Sequence, residues 1–201
     1  MSRVIHVIGN GPKGAPLYNK EPRKGIKIAC NILPFDIANV YGTVIADFKM
    51  MKAITEGSVT VPGDWILGFR PKVWSERTPG FLMRFATQIK EFYLNKPDYA
   101  ETYTDFNCGH MAVHYSANKL KGDTIHLYGF DSLFEFDIRS TTDFVLPSDR
   151  GTGNTHKLSE KWRHIFNEMF KEFSDTKFVL HHNHDNLKIP HHKNIEVIVG
   201  K

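Results

Sequence analysis

Residues 3–12 read Arg3-Val4-Ile5-His6-Val7-Ile8-Gly9-Asn10-Gly11-Pro12, and this stretch decides the fold class. It is a β-branched run broken only by His6 and closed by glycines, the pattern of a strand buried on both faces. Such strands belong to parallel sheets covered by helices. Outward from it, Ile26–Cys30 repeats the pattern, then Thr43–Ala46 ahead of Asp47, then Asp64–Phe69. Further on, Thr124–Tyr128 precedes Gly129, and Lys177–Leu180 and Ile195–Val199 are short and β-branched or aromatic. Between Gly80 and Asn95, residues Phe81, Leu82, Phe85, Ile89, Phe92 and Tyr93 recur at helical spacing, which predicts one amphipathic helix. Leu158, Trp162, Ile165, Phe166, Met169, Phe170 and Phe173 predict a second over 156–173, and Gly109–Leu120 reads as a shorter one. Strands alternating with helices predict a single Rossmann-like α/β domain with a mostly parallel central sheet flanked by helices. In that class, ligands bind at the carboxyl ends of the strands.

Composition narrows the class. Lys plus Arg number 26 against 22 Asp plus Glu, a formal charge of +4, with 11 histidines and a pI near 9.0. Hydrophobic residues at 41% and aromatics at 12% are too many for a disordered chain, while 10 prolines and 15 glycines are too few for a fibrous one. No run of about 18 apolar residues occurs, so no membrane span is predicted. The apolar stretch at the N-terminus is too short for a signal-peptide core, and no small-residue cleavage site follows it. Cys30 and Cys108 cannot build a disulfide framework, and together these features predict a cytoplasmic protein. No repeat or linker divides the chain, so residues 1–201 read as one domain. Residues 130–155, aperiodic and polar, read as an active-site loop or lid. The small basic excess suits an anionic partner without naming one. Nothing here sets an oligomeric state.

Several clusters carry chemistry. Gly9-Asn10-Gly11-Pro12 follows the first strand, where glycines admit a close ligand and main-chain N–H groups cradle an anion. The Asn10 amide adds a donor and an acceptor. The spacing is neither the dinucleotide fingerprint nor a Walker loop, and a tight strand-to-loop turn explains the same residues more plainly. Asn31 closes the second strand and falls beside Asn10 if the two strands are neighbours, although turns also favour Asn. Asn107-Cys108-Gly109-His110 opens a helix, where free N–H groups and the helix dipole favour phosphate. Gly129-Phe130-Asp131 closes the next strand, and Asp131 there either meets a ligand or caps the following turn. His156 enters the long helix after Gly151-Thr152-Gly153-Asn154-Thr155 with no apolar role, which makes it a general-base candidate beside the bland surface reading. Trp65, Phe69, Arg70, Lys72, Trp74 and Arg77 interleave aromatics with cations, as surfaces that stack single-stranded bases do. An ordinary half-buried strand and loop is the simpler reading of that stretch.

His181-His182-Asn183-His184-Asp185, with His191 and His192 behind it, has the composition of a metal site. Adjacent residues of an extended segment face opposite ways, so His182 and His184 share a side that His181 does not. No zinc-type spacing is complete, and the reading adopted has no metal: one histidine lines the site and the rest are solvated.

The order of these pieces, "VIGNGP", "ACN", an acidic strand end and then "CGHMAVHYSANKLKGDTIHLYGFD", resembles the bacterial oligosaccharide sialyltransferases. It also resembles the wider sialyltransferase-like Rossmann proteins, which include pterin pyrophosphokinase relatives. The resemblance covers roughly residues 3 to 185 and rests on the combination of short motifs. It implies a sialyltransferase-like fold and a metal-independent glycosyltransferase with no cofactor beyond a nucleotide-sugar donor. Asn10 and Asn31 would contact the nucleotide, with Gly9 and Gly11 in the same loop. Asn107, Cys108 and Gly109 would hold ribose and phosphate, Gly129 and Asp131 would border the base or sugar, His156 would deprotonate the acceptor hydroxyl, and Asp131 would be the second catalytic residue. That acceptor is a glycan or, as among sugar-transferring enzymes of viruses, a modified base in nucleic acid. Lys13 stands where the family usually has Ser, Cys108 where it has Ser or Thr, and Phe134 and Phe136 where it has tyrosines, which leaves the donor open. Two other readings stand beside transfer of a sugar: phospho- or pyrophosphotransfer from a nucleoside triphosphate, and a non-catalytic nucleotide- or nucleic-acid-binding module.

Overall fold

The computed structural model describes residues 1–20, 23–136, 140–146 and 155–200. Eight strands form one all-parallel sheet: β1 (Val4–Ile8), β2 (Ile26–Cys30), β3 (Gly42–Ile45), β4 (Trp65–Leu67), β5 (Ile89–Phe92), β6 (Thr124–Tyr128), β7 (Lys177–His182) and β8 (Ile195–Val199). Their spatial order is 5-4-3-2-1-6-7-8. Around the sheet run α1 (Phe48–Glu56), α2 (Phe69–Arg77), α3 (Phe81–Phe85), α4 (Cys108–His114), α5 (Thr141–Val145) and α6 (Thr155–Glu172). The chain builds outward from β1 to β5 on one side, then returns to the other side of β1 with β6. That reversal makes β1 a topological switch point, where open α/β sheets gather their ligands. The architecture is the Rossmann-like α/β layering that the sequence predicts. No described helix is long and apolar enough to cross a membrane.

Alternation along the strands separates two faces. On one, Ile5, Val7, Ile28, Leu127 and Leu180 pack against Met111 and Val113 of α4 and Ile165, Phe166 and Phe170 of α6. On the other, Ile45, Trp65 and Leu67 meet Met50, Met51 and Ile54 of α1 and Phe81 and Phe85 of α3. Each fully buried side chain of this size contributes about 1.5–3 kcal/mol relative to exposure. His6 sits in the middle of β1 and is buried as well. The Lys24 carbonyl can only accept, so His6 Nε2–H donates to it at 2.9 Å, and Nδ1 accepts from the Tyr128 hydroxyl at 3.1 Å.

Besides helix α1, for which the sequence reading names no element, the structure departs from that reading in three places. The helix expected over Gly80–Asn95 ends at Phe85, passes through a 3-10 turn at Ala86–Gln88 and becomes the edge strand β5. Ile89 and Phe92 then pair with Trp65 and Leu67 across a register shift between Trp65 and Ile66, so sheet pairing overrides a helical period that the short segment also fits. The stretch Trp65–Arg77 is β4 followed by helix α2, not a strand and loop, and its Trp65 is core, with Nε1–H donating to the Val61 carbonyl at 3.0 Å. The loop expected over 130–155 contains a 3-10 turn at Asp131–Leu133 and helix α5 among its described residues. Residues 137–139 and 147–154, which include Gly151, lie outside the described residues.

Candidate functional site

At the carboxyl edge, the loops after β1, β2, β3 and β6 meet α5, the start of α4 and the N-terminal half of α6. They enclose a cavity of about 500 Å³, within the range of small-molecule and cofactor sites. Gly9, Asn10, Gly11, Asn31, Asn107, Cys108, Gly109, Gly129 and Asp131 all line it. Residues more than a hundred positions apart in sequence thus share one wall. His156 falls in the first turn of α6, whose Leu158, Trp162 and Phe166 line the same cavity. The His156 side chain lies outside the described residues.

Most of these motif groups are engaged with one another. The Gly9 N–H donates to the Tyr128 carbonyl at 2.6 Å and the Gly11 N–H to the Gly129 carbonyl at 2.8 Å, which extends the β1–β6 ladder into the two loops. Asp131 ties the turn down: Oδ2 accepts the Lys13 N–H at 2.8 Å and Oδ1 the Gly14 N–H at 2.9 Å. Burial raises the Asp131 pKa, against the pull of these two N–H groups and of His182. A side chain at position 11 would bring Cβ within 2.5 Å of Asp131 Oδ1. Gly129, at φ +76°, would bring one within 2.7 Å of the Gly9 carbonyl oxygen. These glycines let the two loops approach each other. Asn10 donates from Nδ2 to the carbonyls of Cys30 (2.8 Å) and Ile32 (2.9 Å). Its own carbonyl accepts the Thr141 N–H at 2.8 Å, joining β1, β2 and α5.

The start of α4 is equally self-contained. Asn107 Oδ1 accepts the His110 N–H at 3.0 Å, and His110 Nδ1 accepts the Asn107 N–H at 3.1 Å. With Nδ1 accepting, Nε2–H donates to the Trp162 carbonyl at 3.0 Å, which fixes α4 to α6. His110 is fully buried, and burial pushes its pKa down to about 4. Cys108 donates its thiol hydrogen to the Val44 carbonyl at 2.9 Å, and burial holds the thiol well above its usual pKa. That thiol is structural.

Three other lining residues differ. Asn31 holds a left-handed backbone (φ 49°), and its Oδ1 is buried without a hydrogen-bond partner among the described residues. Arg70 Nε, from the first turn of α2, and Thr142 Oγ1, from α5, are buried and unpartnered in the same way. All three residues line the cavity. Burial lowers the Arg70 pKa and Asp47 pulls it back up, while a guanidinium starts high enough to stay charged. Asp47 caps α1 by accepting the Met50 N–H at 2.8 Å, and Lys49 pairs with Asp143 at 3.2 Å. Phe130, Trp162 and Phe166 supply an apolar side, Phe130 and Phe166 meeting edge to face at 5.6 Å. Sequence reasoning singles out neither Asp47, Lys49 nor Thr142 as site residues. It noted Arg70 only as part of an aromatic and basic stretch. The available signal is its position, two residues past Gly68 at the carboxyl end of β4.

The histidines divide as the alternation of β7 requires. His181 turns to the α1 side of the sheet, stacks on Tyr128 at 4.2 Å and meets His126 at 2.9 Å. His182 and His184 share the other side and both face Glu135. The expectation that one histidine lines the site and the rest are solvated is corrected: neither His181 nor His182 lines the cavity, and both are buried.

No protein-family model, no curated protein and no solved structure matches this chain. Function therefore has to be argued from the cavity's own chemistry.

Proposed function

We propose that this chain is a glycosyltransferase that binds a nucleotide-activated sugar in the carboxyl-edge cavity and transfers the sugar to an acceptor hydroxyl. One observation carries the reading: Arg70 Nε, Asn31 Oδ1 and Thr142 Oγ1 are buried, unpartnered among the described residues and belong to residues that line one cavity. Unmatched buried polar atoms each cost about 1–3 kcal/mol, so three on one ligand-sized cavity support a ligand that pairs them. The guanidinium suits a phosphate, the amide oxygen accepts from a base N–H or a ribose hydroxyl, and the threonine hydroxyl serves either partner. The aromatic side suits the flat face of a base or sugar.

In this reaction the acceptor oxygen bonds to the anomeric carbon as the bond from that carbon to the donor phosphate oxygen breaks. His156, in the first turn of α6, takes the acceptor proton. The nucleotide leaves with the electron pair, its charge met by Arg70. Asp131 is a positioning residue that keeps the Gly9–Gly14 turn in place. His156→Ala is expected to lower turnover by roughly 10²–10⁴ while nucleotide affinity stays unchanged. Unchanged turnover removes the base assignment. Failure of every nucleotide sugar to bind by calorimetry overturns the proposal, and magnesium-dependent ATP binding in its place would favour phosphotransfer.

A further inference from the structure

We propose that Glu135, His182 and His184 form a binding site for one divalent transition metal of the zinc class, with a fourth coordination position open. The site lies behind the cavity wall, where β7 ends beside the loop that follows β6. Glu135 Oε1 faces both rings, 3.1 Å from His182 Nε2 and 2.7 Å from His184 Nε2. One ligand atom from each residue lies within 4.8 Å of the others. Ligand atoms about 2.1 Å from a tetrahedral ion sit roughly 3.4 Å apart, so a small outward movement of the exposed-side His184 admits the ion.

The second observation is the predicament of His182. It is fully buried, with Nε2 facing Glu135 and Nδ1 facing Asp131 Oδ1 at 3.5 Å without a hydrogen bond. A neutral imidazole carries one N–H, so in either tautomer a ring lone pair meets a carboxylate. A metal on Nε2 removes the conflict. Nδ1–H then donates to Asp131, which gives the carboxylate–histidine–metal arrangement common around zinc. Phe134 stacks on the His182 ring at 4.3 Å and holds that orientation. Lys13 Nζ, half-exposed and 3.0 Å from Glu135, supplies the positive charge otherwise and can withdraw into solvent. Ligation has one local cost. His184 Nδ1 accepts the Asn186 N–H at 3.2 Å, and binding through Nε2 shifts the ring proton to Nδ1 and releases that exposed contact.

Three protein ligands with an open position are the coordination of catalytic rather than structural zinc. The inference does not rest on sugar transfer, since its readout needs no substrate. The metal-stripped full chain is titrated with Co²⁺ and followed by visible absorption and calorimetry. One Co²⁺ per chain is expected, with the d–d bands of a four-coordinate ion, displaced by Zn²⁺. His184→Ala is expected to weaken binding at least tenfold, and Asp131→Asn by roughly 10–100-fold through the outer hydrogen bond. If Asp131→Asn does not fold, His184→Ala decides alone, because that side chain is partly exposed. Absence of four-coordinate bands, or equal stoichiometry and affinity in His184→Ala, overturns the site.

Discussion

Two sets of residues line the cavity on opposite principles. On the glycine wall, the loops after β1 and β6 satisfy each other: Gly9 and Gly11 bond to Tyr128 and Gly129, and Asp131 holds Lys13 and Gly14. In the second set, Arg70, Asn31 and Thr142 keep buried polar atoms without partners among the described residues. The first set shapes the cavity and the second is where ligand chemistry is left over. Of that second set only Asn31 belongs to a sequence motif, while Arg70 from α2 and Thr142 from α5 are announced by none.

The comparison breaks most visibly on the glycine wall. Gly129→Ala is expected to destabilise the fold by about 3 kcal/mol, through a left-handed backbone and a Cβ 2.7 Å from the Gly9 carbonyl oxygen. Denaturant melts check this, and an effect under about 1 kcal/mol would mean that the loops can part. In the unpartnered set, Arg70→Gln should leave the melting point of the ligand-free protein nearly unchanged. It should weaken nucleotide binding by roughly 10–100-fold, the worth of a charge-assisted hydrogen bond. Equal losses of stability and affinity would show that the two sets do not differ in kind.

Acid acts on the cavity's frame through His110, which fixes α4 to α6. Its folded pKa of about 4 lies below the unfolded value near 6.5. The unfolded state therefore binds the proton first as pH falls. The neutral ring's contribution is fully present above about pH 6.5 and is lost on the way down to about pH 4. The slope is at most about 1.4 kcal/mol per pH unit. His110→Asn should flatten that acid limb in urea melts across this window. The smallest effect belongs to Thr142→Val, which removes an unmatched hydroxyl. Stability should hold or rise by up to about 1 kcal/mol, while nucleotide affinity falls less than tenfold.

Of the eight strands among the described residues seven are legible in the sequence: most are buried on both faces and read as apolar runs, and the edge strand β8 shows through its β-branched residues. β5 is not, since Phe81, Phe85, Ile89 and Phe92 fit a helical period and only pairing with β4 decides between the two. α2 is also hidden: it buries only Pro71 and Ser75 and carries no apolar stripe. α1 carries ordinary signals, an Asp47 cap at one end and Gly57 at φ 75° at the other. Every motif residue read as nucleotide-binding reaches the cavity, because strand ends converge wherever the sheet topology brings them. What the sequence hides is occupancy. That Asn10 donates to two carbonyls, or that the Cys108 thiol bonds to Val44, depends on neighbours distant in the chain. The Glu135–His182–His184 cluster hides for the same reason, as Glu135 arrives from a separate loop.

The most direct test is calorimetric titration of cytidine, uridine, guanosine and adenosine nucleotides and their sugar conjugates into the wild-type chain and Arg70→Gln. A nucleotide site in the cavity predicts that one base class binds, with its phosphate-bearing forms weakened in the variant. The bound form should gain about 2.7 kcal/mol of stability at a hundredfold excess over Kd. Binding by none of them, or binding indifferent to Arg70, would contradict it.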